Sequence, residues 1–340
     1  MYYSALPACY FPSTTFFVDD SREFLVNFTL QLEDSLAFQV YDSPYDALDA
    51  LYASRQTPDY LSQRCITEYL DSRAWPMTNQ TVNLNLAAIH SEVYNPQRFS
   101  EVSVVVVDYA MPGMNGLDFC QRIQNSPVKK ILLTGRADER TVLEAFNEGL
   151  IDRYIEKNIP NVATVIKHAI QKLQRQYFQG MSDLIIRMVS VTSPTCLQDV
   201  LFAQFLKKIC DENDVAEFYL TENSGSFLLL DKDANLSCLI VKNRQDLNLH
   251  YEMALDNKAP ESVLDDLKSG RKIPYFSDNE GQKTSEWSDW STFLRPAQVV
   301  QGLENYYYTI VKDPIVFNIQ KEKITSYSEY LKLSRKKRRF

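Results

Sequence analysis

Short apolar runs alternate with helix-like stretches over the first half of the chain. The runs are rich in β-branched residues and end in polar or turn residues, which is typical of buried strands. Between them, apolar residues recur with a helical period, as do Phe24, Phe28 and Leu32 after the first run. The five runs cover residues 14–18, 38–41, 102–107, 129–135 and 152–157. Five strands that alternate with helices predict an α/β fold with a doubly wound five-stranded parallel sheet.

Two stretches do not follow this alternation. Residues 56–100 separate the second run from the third, and helix-like pieces at 59–72 and from 82 to about 93 predict a mainly helical insertion. From residue 161 the pattern is helical and long, with a nearly heptad apolar stripe. The stripe consists of Ile166, Ile170, Leu173, Tyr177, Leu184 and Met188. It could pack on this chain or pair with a second copy as a short coiled coil.

The second half of the chain predicts an α+β domain with an antiparallel sheet. Apolar runs at 217–220, 226–230 and 237–241 are joined by short turns, which favour hairpins. A further strand is predicted at 306–311, and helices at 244–256 and 260–269. The sequence Thr192-Ser193-Pro194 is predicted to cap a helix that extends to about Cys210.

The predicted domains follow from these changes of pattern. They are an irregular N-terminal arm (1–13), a parallel-sheet domain with the helical insertion (14–160), a connecting helical segment (161–192), an α+β domain (193–331) and a basic tail (332–340).

The amino-acid composition excludes several classes of protein. The 340 residues are 45% hydrophobic and 24% charged, as in ordinary globular proteins. The formal net charge of −8 gives no general basis for binding nucleic acid. Six scattered cysteines and three histidines lack the spacing of a zinc or redox site. No signal peptide or membrane-spanning run is evident, so we expect a cytoplasmic protein without a membrane partner.

Charged and hydroxyl side chains follow the predicted strands of the first domain. Asp19 and Asp20 end the first strand, Asp108 the third, Thr134 the fourth and Lys157 the fifth. The carboxyl ends of parallel strands lie along one edge, so these groups should converge. Two carboxylates about 4 Å apart repel by roughly 4 kcal/mol at an effective dielectric near 20, which favours a bound cation. An all-oxygen ligand set indicates Mg²⁺, although each acid could instead cap a helix.

Together these residues resemble the receiver domain of bacterial two-component response regulators, over about residues 14–175. The resemblance implies that Asp108 accepts a phosphoryl group from a sensor histidine kinase. It implies that Asp19, Asp20, Asp108 and the backbone carbonyl of Ala110 bind Mg²⁺. Lys157 matches the family's lysine, Thr134 its switch hydroxyl and Tyr154 its switch aromatic residue. It also implies a homodimer on phosphorylation, with no enzymatic turnover of an external substrate.

Two features depart from the family's pattern. Asp20 and Asp108 are 88 positions apart, a longer interval than usual, which the insertion explains. The family's proline after the lysine is replaced by Asn158-Ile159-Pro160. Haloacid-dehalogenase-like phosphotransferases also use an aspartate and Mg²⁺, but they need a second aspartate two residues after the first. Position 110 is alanine, which disfavours that alternative.

The predicted α+β domain is less informative. Over its whole length the chain resembles the quorum-sensing response regulators of Legionella, but no helix-turn-helix, GGDEF, EAL or HD-GYP signature is present. Residues 180–340 carry 23 acidic and 21 basic side chains, and six of the basic ones lie in the last nine positions. Lys336, Lys337, Arg338 and Arg339 could contact nucleic acid, or the tail could be a solvated, frayed end. Tyr306, Tyr307 and Tyr308, with Trp287 and Trp290, could stack on bases or pack a core. The output is therefore either a nucleic-acid binder or a module that binds a regulatory protein or a ligand.

Overall fold

A computed structural model describes residues 5–32, 35–55, 66–70, 80–135, 139–188, 194–276, 290–314 and 319–337. The chain divides into two compact units, each built from three stretches. The parallel-sheet unit comprises Phe11–Gln63, Asn95–Met181 and Tyr327–Phe340. The antiparallel-sheet unit comprises Met1–Tyr10, Arg64–Tyr94 and Ser182–Ser326.

The strands and helices are numbered in chain order. The strands are β1 (Cys9–Tyr10), β2 (Thr14–Val18), β3 (Phe38–Tyr41), β4 (Ile66–Leu70), β5 (Gln80–Leu84), β6 (Val102–Asp108), β7 (Lys129–Thr134), β8 (Arg153–Glu156), β9 (Val215–Leu220), β10 (Phe227–Asp231), β11 (Leu236–Lys242), β12 (Lys272–Pro274), β13 (Leu294–Pro296), β14 (Gln298–Gln301) and β15 (Asn305–Lys312). The helices are α1 (Arg22–Thr29), α2 (Pro44–Arg55), α3 (Leu86–Ser91), α4 (Gly116–Arg122), α5 (Glu139–Asn147), α6 (Val162–Met188), α7 (Val200–Glu212), α8 (Arg244–Asp256), α9 (Glu261–Ser269), α10 (Trp290–Phe293) and α11 (Tyr327–Lys337).

The predicted doubly wound sheet is confirmed, with five parallel strands in the order β3-β2-β6-β7-β8. Strand β6 lies at its centre and is buried along its whole length. Its side chains alternate between faces, so Val105 and Val107 join one apolar core while Val104 and Val106 join the other. The valine run is therefore covered by apolar groups on both sides, as a central parallel strand requires.

Helix α6 takes part in the second of these cores. Ile166, Ile170 and Leu173 are buried there against strands of the parallel sheet, and Tyr177 is buried as well. These residues of the heptad stripe therefore pack within the chain. The side chains of Leu184 and Met188 lie outside the described part of the structure. No helix among the described residues is long and apolar enough to span a bilayer.

The antiparallel unit contains a six-stranded sheet in the order β1-β9-β10-β11-β15-β14. Helix α7 covers one face, where Phe202 contacts Tyr306 and Phe205 contacts Tyr308. Tyr307 points to the other face and packs among Cys238, Leu247 and Ile273. The tyrosine run thus alternates across the sheet and supplies core packing. Trp290 is buried, and Trp287 lies outside the described residues.

The predicted helical insertion is wrong in two places. Ile66–Leu70 and Gln80–Leu84 form an antiparallel pair. Within the second predicted piece, residues 82–93, which the structure describes in full, the α-helix is limited to Leu86–Ser91 and a short 3-10 turn follows it. Both strands carry β-branched residues, which favour extended backbone over helix. The Asn85 side chain accepts the Ala88 N–H and fixes the helix start after β5. The rest of the predicted piece at 59–72 lies outside the described residues.

The N-terminal arm and the start of α7 also differ from prediction. Cys9 and Tyr10 pair with Tyr219 and Phe218 as an edge strand, so the arm is partly ordered by the antiparallel sheet. Pro194 precedes a 3-10 turn, and Asp199 rather than Thr192 or Ser193 caps α7. The Asp199 carboxylate accepts two N–H groups of the first turn of α7.

The basic tail is largely a helix, so its interpretation as a frayed end is wrong up to Lys337. Tyr327 anchors α11 to the parallel unit through the Phe99 ring and through a 2.9 Å hydrogen bond from the Ala37 N–H to its hydroxyl. Leu331 is buried, while Lys336 is exposed. Arg338, Arg339 and the Lys337 side chain lie outside the described part of the chain.

Gly116 provides a test of how tightly the parallel unit is packed. A Cβ atom at this position would lie 2.3 Å from the Asp108 carbonyl oxygen and 2.8 Å from Leu132 Cδ1. We expect Gly116→Ala to lower the free energy of unfolding by about 1–3 kcal/mol, as overpacking does. Urea denaturation measures the change. As a control, Gly180→Ala in α6 meets nothing within 4 Å and should stabilise the helix by about 0.5–1 kcal/mol. Equal effects of the two substitutions would contradict the argument.

Candidate functional site

Three carboxylates meet at the carboxyl edge of the parallel sheet. Asp108 is the last residue of β6, and Asp19 and Asp20 follow β2, the neighbouring strand. One oxygen from each of the three lies within 4.8 Å of the other two. Asp19 and Asp108 are buried, at 2% and 5% exposure, whereas Asp20 is exposed. The parallel topology thus assembles these acids from positions far apart in the sequence.

Lys157 completes the cluster from the end of β8. Its Nζ atom lies 2.6 Å from Asp19 Oδ2 and 2.7 Å from Asp108 Oδ1. Burial alone would lower the pKa of Lys157, but the hydrogen bonds that its ammonium donates to Asp108 and Asp19 outweigh burial and raise it. The amine is therefore held as an ammonium ion between two carboxylates.

Asp108 has a pKa above its ordinary value. Desolvation by burial is the largest cause, and the nearby Asp19 charge adds to it. The hydrogen bond and charge of Lys157 and the Ala110 N–H act in the opposite direction without cancelling it. One ammonium ion for three carboxylates leaves the site with an excess of negative charge, which a cation would offset.

The turn after β6 fixes the Asp108 carboxylate. Gly113 has a left-handed φ of 78°, which glycine adopts without strain. The chain then returns so closely that the Gly116 N–H donates to the Tyr109 carbonyl at 2.9 Å. Asn115 caps α4 by accepting the Asp118 N–H at 2.8 Å. The Pro-Gly and Asn-Gly pairs therefore close a compact loop around the acid.

Of the other predicted residues, Thr134 lies at the same edge and Tyr154 lies within β8. Thr134 ends β7 and is buried, and its carbonyl accepts the Lys157 N–H at 2.7 Å. Tyr154 is 40% exposed, and its ring lies edge-on to Phe146 at 6.3 Å between centroids. The switch roles of Thr134 and Tyr154, and the Ala110 carbonyl as a metal ligand, stay predictions.

Two residues near the cluster were not predicted to belong to it. The Lys157 Nζ atom lies 4.6 Å from the centre of the Phe24 ring, although the sequence pattern placed Phe24 only on a core-facing stripe. Ser21 donates its N–H to Asp19 Oδ1 at 2.9 Å and caps α1. A serine directly after an acidic pair, with an aromatic residue three positions later, is the signal that could have indicated them.

The site has the composition needed to hold a hard divalent cation. Its ligands are carboxylate oxygens, which Mg²⁺ prefers, and the exposed Asp20 leaves one side open for water or substrate oxygens. Among the described residues no histidine or cysteine joins this group. A buried carboxylate beside a cation and an ammonium ion can act as a nucleophile toward phosphorus.

Comparison with known proteins agrees with this geometry. The response regulator receiver domain family matches residues 71–171, which contain Asp108, Thr134, Tyr154 and Lys157 but not the acidic pair. The Legionella pneumophila response regulator LqsR is similar at 50% identity, with 97% of this chain and 96% of that chain covered and a TM-score of 0.82.

Two more distant structures are an adenylate cyclase from Rhodopirellula baltica and a signal receiver domain of an HD domain-containing protein from Pseudomonas fluorescens Pf-5. Their sequence identities to this chain are 22% and 17%. Each alignment covers 50% of this chain and 93% of the other chain, with a TM-score of 0.34. No curated protein matches the chain.

Mg²⁺ should stabilise the folded protein through the three carboxylates. At a hundred times the dissociation constant, we expect about 2.7 kcal/mol of added stability, seen as a rise in Tm. Asp20→Asn removes one charged ligand at an exposed position and should weaken this response. Asp118→Asn, an exposed acid in α4 outside the cluster, is the matched control. A full Mg²⁺ response in Asp20→Asn at constant ionic strength would argue against the site.

Proposed function

The chain belongs to the response regulator family, and we propose that it accepts a phosphoryl group on Asp108 from a sensor histidine kinase in the cytoplasm. The observation that carries the proposal is the Asp108 carboxylate, held at a sheet edge by Lys157 beside Asp19 and Asp20. These groups are the parts that phosphoryl transfer requires: a nucleophile, positive charge and positioning.

In the proposed step an Asp108 oxygen forms a bond to phosphorus while the phosphorus–nitrogen bond of the kinase phosphohistidine breaks. The bonding electron pair goes to the imidazole nitrogen, which regains a proton from solvent. Lys157 donates a hydrogen bond to Asp108 Oδ1 before transfer, and the same ammonium ion can donate to a phosphoryl oxygen afterwards. Burial leaves the carboxylate poorly solvated, so little water must be displaced when phosphorus approaches.

We propose Mg²⁺ as the cofactor, held by Asp19, Asp20 and Asp108 with the Ala110 carbonyl. When bound, it neutralises charge that develops on the phosphoryl oxygens. The raised pKa of Asp108 supports this assignment, because it reflects burial and negative charge that Lys157 does not fully offset.

The phosphoryl group would be sensed through Thr134 and Tyr154. Thr134 ends the strand beside β6, and Tyr154 lies on the next strand with its ring toward solvent. Tyr154 joins Phe146 and Leu143 in an exposed apolar strip on β8 and α5, with side chains 40%, 45% and 45% exposed. We propose that phosphorylation draws Tyr154 inward and reshapes this strip, which then pairs with a second copy as a homodimer.

For the antiparallel unit, we propose an output that binds a regulatory protein rather than nucleic acid. Tyr306 and Tyr307 are buried in the core and therefore unavailable for stacking on bases. Large apolar side chains of Val200, Leu201 and Leu303 are instead 53–69% exposed, as at protein interfaces. The resemblance to LqsR supports a role in quorum-sensing regulation. Nucleic acid is the alternative partner, because Lys336, Lys337, Arg338 and Arg339 are positively charged.

Phosphorylation can be tested with a small phosphodonor. Wild-type protein with Mg²⁺ should take up label from phosphoramidate, and Asp108→Asn should fall to the level of a protein-free blank because the amide cannot form an acyl phosphate. Asp118→Asn is the matched control and should label normally. Label on Asp108→Asn equal to that of the wild type would exclude this residue as the nucleophile.

Dimerisation can be tested by light scattering before and after phosphorylation. We expect the mass of the wild type to double, whereas Phe146→Lys should take up phosphate yet stay monomeric because a lysine interrupts the apolar strip. Leu30→Lys replaces a leucine directly after α1 that is 62% exposed, and this variant should dimerise like the wild type. A normal dimer of phosphorylated Phe146→Lys would place the interface elsewhere.

A further inference from the structure

The Lys157 ammonium ion has a third neighbour besides Asp19 and Asp108. The face of the Phe24 ring lies 4.6 Å from Nζ, within the range of a cation–π interaction. The Lys157 side chain is 18% exposed, so the contact is largely shielded from water. Such a contact gains strength when the cation is desolvated.

Phe24 is fixed by the apolar core beneath α1 and by a hydrogen bond of its backbone. It packs against that core. Its ring also lies parallel to the Phe28 ring, with centroids 5.4 Å apart and planes within 10° of each other, and a leucine at position 28 would keep this contact apolar. Its N–H donates to the Ser21 hydroxyl at 3.2 Å. Ser21 in turn donates its N–H to Asp19 Oδ1, so Phe24 and Asp19 are linked through one helix cap.

These contacts link Asp19, Ser21, Phe24 and Lys157 into a closed ring of interactions. Asp19 binds Ser21, Ser21 caps the helix turn that carries Phe24, Phe24 covers the Lys157 ammonium, and that ammonium returns to Asp19 and reaches Asp108. The lysine ammonium lies on a flexible four-carbon side chain, so it can reach the same two carboxylates from more than one direction. The Phe24 ring occupies one side of the ammonium and thereby limits these directions.

We propose that Phe24 is a positioning residue for phosphoryl transfer, which holds the Lys157 ammonium against Asp108 through the face of its ring. The inference rests on the proposed function of Asp108. When Asp108 becomes phosphorylated, Lys157 loses its ion pair with that carboxylate, but the ring keeps the ammonium at the same place for a phosphoryl oxygen. In this role Phe24 acts through Lys157.

The test compares three substitutions in the full chain. Phe24→Leu keeps an apolar side chain but removes the ring face, and Phe24→Tyr keeps the face. Phe28→Leu is the matched control, because it removes the stacked ring that does not cover the ammonium. With phosphoramidate and Mg²⁺, we expect the initial rate of phosphorylation to fall about 3- to 30-fold in Phe24→Leu, as loss of a partly desolvated cation–π contact implies. Phe24→Tyr should stay within about twofold of the wild type, and so should Phe28→Leu.

A second readout does not depend on phosphorylation. In NMR spectra of the unphosphorylated protein, the Lys157 Cε protons should be shifted upfield by the ring current of Phe24. The shift should persist in Phe24→Tyr and Phe28→Leu and disappear in Phe24→Leu. If Phe24→Leu does not fold, Phe24→Met replaces it, with the same expectations.

The two readouts separate the inference from the proposed function. If the wild type takes up no phosphate, the proposed function fails, while the ring-current shift still reports the contact. Phosphorylation of the ring-free variant at the wild-type rate would overturn the positioning role. So would an equal loss in Phe28→Leu or in Phe24→Tyr, and so would the absence of a ring-current shift in the wild type.

Discussion

The double ion pair of Lys157 is the interaction on which the site depends. One ammonium ion lies 2.6 Å from Asp19 and 2.7 Å from Asp108, two carboxylates contributed by neighbouring strands. Without it, two nearly buried acids would face each other across a poorly solvated edge, at a cost of several kcal/mol. The pairing lowers that cost without removing it, because Asp108 still has a raised pKa. The remaining imbalance favours a divalent cation at the site.

The Asp108 carboxylate is positioned by the valine strand β6, which is buried on both faces. Val104 to Val107 are at most 1% exposed and contribute to a separate core on each face of β6. The loop that follows is so compact that even a methyl group at Gly116 would collide with the Asp108 backbone. A buried strand end and a tight loop thus hold the Asp108 carboxylate, whereas the strip of Leu143, Phe146 and Tyr154 is exposed.

The order of the chain does not follow the division into units. Residues from the N-terminus form an edge strand of the antiparallel sheet, and the C-terminal helix α11 packs in the parallel unit. Basic residues of the last turns are therefore part of a folded helix anchored by Tyr327 and Leu331. Any contact they make with another molecule starts from a fixed helix surface, which differs from the behaviour of a flexible tail.

The sequence by itself determined the parallel sheet and the four charged residues of the site. A β-branched strand buried on both faces has a recognisable composition, and strand ends of a parallel sheet share one edge by topology. The tertiary structure decided what local pattern cannot encode. The Cys9–Tyr10 edge strand and the α11 anchor depend on partners distant in sequence. The Phe24 ring over Lys157 is of the same kind, since a helical stripe shows which residues face inward but not which charge they cover.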